Sequence, residues 1–301
     1  MSENAIPLFK MNGAGNKILV ADARGQSKSL NGKSAADLGQ HDMLHFDQLM
    51  LVENPQTNGS DAHITIYNID GSEAEACGNG TRCVADVMLN AAGGNRLSLE
   101  TPPGILDVVR HDDGLLTVDM GAPKFDWQDI PLAEEFRDTR QIELQVGPID
   151  APVLHSPSAV NMGNPHAVFF VENDVESYGL ERFGPLLENH PVFPERANIS
   201  VAQIISDTEI NLKVWERGVG LTLACGSAAC AAAVSAARTG RSARRVDVHL
   251  PGGMLTIEWN DKDRVLMTGP VAYEAVGVVN LDTLECEMVE TNDPFSLAQN
   301  L

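Results

Sequence analysis

Ala76-Cys77-Gly78-Asn79-Gly80-Thr81-Arg82-Cys83-Val84-Ala85-Asp86-Val87-Met88-Leu89 decides how the rest of the chain is read, because its pattern occurs twice. The second copy is Ala224-Cys225-Gly226-Ser227 followed by the apolar run Ala228 through Val234, and from Cys77 to Cys225 is 148 positions. The same shift carries Gly15-Asn16 onto Gly163-Asn164, Pro103-Gly104 onto Pro251-Gly252, Asp113 onto Asp261 and Gly121 onto Gly269, without a gap. Chance identities would fall on common residues; these gather on Gly, Asn, Cys and Pro in one order. Self-similarity at a fixed spacing is the mark of duplicated architecture, so the chain reads as two homologous domains.

Working outward from each cysteine, the local pattern is shared too. Ala62-His63-Ile64-Thr65-Ile66-Tyr67-Asn68 and Glu209-Ile210-Asn211-Leu212-Lys213-Val214-Trp215 alternate polar with apolar residues, as half-buried strands do. A Gly-containing loop follows, then the cysteine, then a segment apolar on nearly every side, which is the pattern of a buried helix. Gly93-Gly94 and Gly240 supply the stops, and the chain returns to strands around Pro103-Gly104 and Pro251-Gly252. The expected fold is α+β: two homologous domains, each a mixed sheet wrapped around a central helix, with the active site in the cleft between them. Residues 1–122 form the first domain, with about 271–301 returning to it, and residues 123–270 form the second. The charged stretch Pro123 to Gly147 aligns with nothing and reads as the connection.

Cys77 and Cys225 fall at the starts of the two buried helices. Unpaired N–H groups and the helix dipole there favour negative charge. A thiol so placed is expected to have a lowered pKa, and the same amides can hold a carboxylate. Two such ends suit inversion of a carbon next to a carboxylate. One thiolate removes the α-proton, the opposite thiol delivers another, and the amides stabilise the enolate-like intermediate. Cys83, Cys230 and Cys286 read as core or incidental residues.

These residues also carry a resemblance. Asn68-Ile69-Asp70-Gly71-Ser72-Glu73-Ala74-Glu75-Ala76-Cys77-Gly78-Asn79-Gly80-Thr81-Arg82-Cys83 is similar to the first signature of the diaminopimelate epimerases, and Glu216-Arg217-Gly218 with Ala224-Cys225-Gly226-Ser227 resembles the second. Asn161 through His166, Phe193 through Asn198, Lys10 through Asn16 and Phe46-Asp47-Gln48 match further blocks. The resemblance implies a duplicated barrel-around-helix fold and interconversion of LL- and meso-diaminopimelate without pyridoxal phosphate or any other cofactor, in lysine and peptidoglycan precursor synthesis. Carried onto this sequence, it makes Cys77 and Cys225 the catalytic thiols, with His166 and Glu216 tuning them. Gly78, Asn79, Gly226 and Ser227 bind the reacting carboxylate. Asn16 and Gln48 lie along the reacting end; Asn68, Asn164, Asn198, Glu216 and Arg217 hold the far end, whose ammonium and carboxylate suit an acid, a bidentate base and amides. The shift of 148 places Ile18 opposite His166 and Asn68 opposite Glu216, so the thiols are repeated while their neighbours are not. The chain departs from the family at Asn12, Lys17-Ile18, Leu221 and Ala228, none of which the chemistry requires.

Composition narrows the alternatives. A net charge of −21 repels phosphate backbones, which argues against nucleic acid. No run of about 18 apolar residues marks a membrane span, and the opening residues lack a secretory pattern, so a cytoplasmic enzyme is expected. Five cysteines at these spacings suit neither a disulfide framework nor a zinc site. A homodimer is the expected assembly. A proline or hydroxyproline racemase would share the thiols, but Arg82 after the first motif and the Glu216-Arg217-Gly218 block argue against it, and a cyclic imino acid would leave Glu216 and Arg217 without partners. A two-lobed amino-acid-binding protein would need the anchors and not the thiols. A regulatory Cys77–Cys225 disulfide is compatible with catalysis.

Overall fold

A computed structural model describes residues 4–74, 76–102 and 104–291. Glu75 of the first cysteine motif and Pro103 of the repeated Pro-Gly pair lie outside the described residues, as does the end of the expected C-terminal return, beyond 291. The chain divides into two compact units. The first takes the chain up to Val118 and resumes at Gly269; the second is Asp119–Thr268.

The first unit runs β1 (Ala5–Gly13), β2 (Asn16–Asp22), α1 (Gly32–Leu38), β3 (Gln48–Glu53), β4 (Ala62–Asn68), α2 (Gly78–Ala92), β5 (Arg96–Thr101), β6 (Gly104–Arg110) and β7 (Leu116–Asp119). In the second unit β8 (Gln145–Val146) and β9 (Leu154–His155) form a short pair. Then come β10 (Ser158–Asn161), β11 (Pro165–Val171), α3 (Leu180–Glu188), β12 (Asn198–Ile204), β13 (Glu209–Glu216), β14 (Gly220–Thr222), α4 (Gly226–Arg238), β15 (Arg245–Leu250), β16 (Gly253–Trp259) and β17 (Val265–Gly269). Finally β18 (Ala272–Asn280) pairs antiparallel with β1 of the first unit and carries β19 (Cys286–Glu290) on its other side.

The duplication is visible in the pairing. In the first unit β1–β2 is antiparallel, β2–β3 parallel, β3–β4 antiparallel, β4–β5 parallel and β5–β6 antiparallel. In the second, β10–β11, β11–β12, β12–β13, β13–β15 and β15–β16 repeat that series term by term. Each parallel step needs a crossover, because parallel neighbours cannot be joined by a hairpin. In both units the helix bearing the cysteine at its start supplies the second one.

Both of those helices are buried along most of their length, from Gly78 to Leu89 and from Gly226 to Ala236. Strands β1, β2, β3, β5 and β6 pack on α2; β10, β11, β12, β13, β15 and β16 pack on α4. Small residues set the approach in α4, where Ala228, Ala229, Ala231, Ala232 and Ala236 are fully buried. In α2, Gly80 lies directly under the Met50 side chain. Helix α2 stops at Gly93, whose φ of 79° favours glycine; Gly240, with φ of 70°, follows the C-cap Thr239 of α4.

One expectation changes. The stretch 123–147 is not merely a connection: Ile130, Leu132, Ile142 and Leu144 join the second unit's core around Phe169, Leu187 and Val201. Its charges are carried on exposed positions, so Ile142 and Leu144 point inward between exposed Gln141, Glu143 and Gln145. That two-residue period is masked by the stretch's high overall charge.

Candidate active site

In the first unit, Cys77 is the N-cap of α2, with extended backbone at φ −148°. Its Sγ accepts the Gly80 N–H at 3.2 Å and the Asn16 Nδ2–H at 3.8 Å. A sulfur surrounded by N–H donors at a helix start is placed to carry negative charge. Asn16 opens β2, and its Oδ1 is buried without a protein partner. Gln48 and Asn68 are cross-strand partners on β3 and β4, joined by Gln48 Nε2–H to Asn68 Oδ1 at 3.2 Å. Asn68 also donates to Ser72 Oγ at 3.0 Å. Gly78 and Asn79 form the first turn of α2 and are buried. Asn79 is held through both its side chain and its backbone. Arg82, fully buried, donates to its Oδ1 at 3.0 Å, and Gly13 approaches so closely that a Cβ there would sit 3.0 Å from the Asn79 carbonyl.

In the second unit, Cys225 is the N-cap of α4, again extended at φ −138°, and is only 6% exposed. Its Sγ lies 3.5 Å from Ser227 Oγ. The thiol's pKa is pushed well above the ordinary value, first by burial and next by the charge and hydrogen bond of Glu216. This reverses the expectation of a lowered pKa at a helix start. Desolvation of the thiolate and a neighbouring carboxylate outweigh the helix end. Gly226 and Ser227 are buried beside it in the first turn of α4.

The remaining second-unit residues form one network. Asn164 stands just before β11 and accepts the His166 Nε2–H at 2.7 Å. His166 is completely buried and its Nδ1 has no protein partner. Burial and, secondarily, the nearby Arg217 charge push it down to about 3, so the imidazole is neutral at physiological pH. His166 is paired with Asn198 across β11 and β12. Asn198 donates through Nδ2 to the Pro165 carbonyl at 3.1 Å and accepts the Arg217 backbone N–H at 2.9 Å. The Arg217 guanidinium donates to the Glu195 carbonyl at 3.2 Å.

In the first unit the structure places Asn16, Gly78 and Asn79 at Cys77 and joins Gln48 to Asn68. In the second it joins Asn164 to His166 and Asn198 to Arg217, and sets Glu216, Gly226 and Ser227 beside Cys225. Glu216 raises the pKa of the Cys225 thiol, and His166 donates to Asn164. Glu216 ends β13 as Asn68 ends β4, so the repeat presents a carboxylate in one unit where it presents an amide in the other. Two residues were not singled out from the sequence: Glu188 and Trp215, joined by Trp215 Nε1–H to Glu188 Oε2 at 2.7 Å. Nothing local marks them, because Glu188 meets partners 27 to 30 positions away; Arg82, set apart by its place after the first motif, is found behind Asn79.

A family model described as diaminopimelate epimerase matches this chain twice, over residues 8–125 and 158–274. Among curated relatives, a diaminopimelate epimerase of Brucella anthropi is 58% identical over 284 residues, covering 94% of this chain and 95% of that protein. One from Brucella canis is 59% identical over 276 residues, covering 92% and 91%. Solved structures share the fold at low identity. A PhzF-family phenazine biosynthesis protein of Bacillus anthracis has TM-score 0.62 at 15% identity, covering 95% of this chain and 99% of that one. A hydroxyproline epimerase of Agrobacterium vitis has TM-score 0.61 at 14% identity, covering 98% and 95%.

Proposed function

The chain belongs to the diaminopimelate epimerase family, and from that premise we propose that it interconverts LL- and meso-diaminopimelate with Cys77 and Cys225 as its two bases, using no cofactor. One observation carries the mechanism: each of two units sharing one series of strand pairings caps its buried central helix with a cysteine. The reaction demands that the two thiols address one α-carbon from opposite faces.

Cys77, its sulfur receiving N–H groups from Gly80 and Asn16, acts as the base. Cys225 is the thiol, kept protonated by burial and Glu216. The base takes the α-proton, leaving an electron pair delocalised into the carboxylate. The thiol then delivers its proton to the opposite face, and the roles of the two sulfurs are exchanged for the reverse reaction. N–H groups at Gly78, Asn79, Gly226 and Ser227 hold the reacting carboxylate as its oxygens gain charge, and Asn16 and Gln48 bound the reacting end. At the far end Arg217 pairs with carboxylate and Glu216 with ammonium, and Asn68, Asn164 and Asn198 supply amide contacts. His166 belongs to this machinery as a neutral group, acting through Asn164 and beside Arg217. The product enters lysine and peptidoglycan precursor synthesis. We further read the enzyme as a cytoplasmic homodimer without nucleic-acid or membrane partners. Its net charge of −21 supports the first of these exclusions, among the described residues no helix is long and apolar enough to cross a membrane, and sedimentation tests the dimer.

The activity is tested by incubating the purified protein, without additions, with LL-diaminopimelate and separately with L-proline. Approach to a mixture of LL and meso isomers is expected; inversion of proline instead would overturn the substrate assignment.

A further inference from the structure

Glu188 is the last residue of α3 and only 5% exposed. A carboxylate there bears two costs: desolvation, and the negative end of the helix dipole, which favours a cation. Three N–H donors offset them. Trp215 Nε1–H donates to Oε2 at 2.7 Å, the Gly218 backbone N–H to Oε1 at 2.8 Å, and Arg196 Nη1 to Oε1 at 3.3 Å. Trp215 and Gly218 are the residues immediately before and after Glu216-Arg217, so one carboxylate pins both ends of that dipeptide. The dipeptide itself lies in a turn closed by the Val219 N–H on the Glu216 carbonyl at 3.1 Å, with Gly218 at φ 77°. One helical turn before Glu188, Gly184 brings α3 against the indole; a Cβ there would fall 2.6 Å from Trp215 Cγ.

We propose that Glu188 is a positioning residue for substrate specificity: it fixes the turn that presents Glu216 and Arg217 to the distal zwitterion of the substrate. This rests on the reading of those two residues as far-end anchors. A Glu188→Gln side chain keeps the shape but offers one oxygen and one NH2, so a buried donor now faces a donor. The turn loosens, and binding made equally in ground and transition states weakens.

The test is steady-state kinetics on diaminopimelate with wild type, Glu188→Gln, Arg217→Lys and the double variant. For Glu188→Gln, KM should rise by about tenfold or more, the scale of a lost charge-assisted hydrogen bond, with a smaller change in kcat. In the Arg217→Lys background the same change should add little, because both act on one contact. A structural role alone would reduce the active fraction, lowering kcat at constant KM and adding fully to Arg217→Lys; either result overturns the proposal. Should Glu188→Gln not fold, Trp215→Phe removes the indole donor and part of the ring while leaving the carboxylate in place. A several-fold rise in KM at unchanged kcat then supports the inference, and an unchanged KM overturns it. If wild type itself does not epimerise diaminopimelate, the underlying functional reading has failed; if it does and KM is unmoved in the variants, only the role of Glu188 has.

Discussion

Gly80 can be tested in two backgrounds. It is in the first turn of α2, its N–H caps the Cys77 sulfur at 3.2 Å, and its missing Cβ makes room for Met50. A Cβ added there would meet Met50 Cγ and Cε at 2.9 Å each. Methionine is flexible, but Met50 is fully buried, so it cannot swing away without displacing its neighbours. Overpacking of this kind costs about 1–3 kcal/mol, and replacing a helical glycine by alanine returns about 0.5–1 kcal/mol. Gly80→Ala should therefore be destabilised by a net ~1–2 kcal/mol, lowering the melting temperature by roughly 2–8 °C for a unit of this size. Epimerase kcat/KM should fall with it, because the shift moves the N–H that holds the Cys77 sulfur. Met50→Ala removes the obstacle. In that background, itself less stable through its cavity, Gly80→Ala should become neutral or stabilising by up to ~1 kcal/mol. Urea unfolding of the four proteins reads the cycle directly. Equal destabilisation in both backgrounds, or none in either, would refute the packing argument.

Two further outcomes follow from the titrating groups. Glu216→Gln removes a negative charge beside Cys225, so the thiol should ionise at lower pH than in wild type while burial still holds it above the ordinary range; thiolate absorbance titrated against a Cys225→Ser control reads this, and an unmoved titration contradicts it. His166 is neutral when folded and protonates near 6.5 when unfolded, so the unfolded chain binds more protons between about pH 3 and 6.5 and stability falls as pH drops through that window. The loss should be about 2 kcal/mol near pH 5, and His166→Gln should lose less between neutral pH and pH 5 than wild type; equal losses would show that His166 is not the source.

Much of the fold was legible because the sequence carries it twice. The alternation over Ala62–Asn68 and Glu209–Trp215 gave strands where β4 and β13 stand, and the all-round apolar runs after Cys77 and Cys225 gave helices that are buried. What escaped has physical causes. The 123–147 stretch hid a two-residue inward period under its charges. The raised pKa of Cys225 did not follow from its place at a helix start, because burial outweighs the dipole there; Glu216, expected from the resemblance to tune a thiol, reaches it from the end of β13. Glu188 and Trp215 stand at repeat positions that Gln40 and Tyr67 hold in the first unit, so the repeat does not mark them, and their meeting depends on how α3 packs against β13.

The two-base claim is tested most directly by following LL-diaminopimelate in deuterated water at early times, recording deuterium at the α-carbon of each isomer separately. Two thiols predict deuterium in the meso product, delivered by the solvent-exchanged partner, while recovered LL substrate still carries protium; Cys77→Ala and Cys225→Ala should each abolish inversion. Product that retains the substrate's own proton, or inversion that survives loss of either cysteine, would contradict the account.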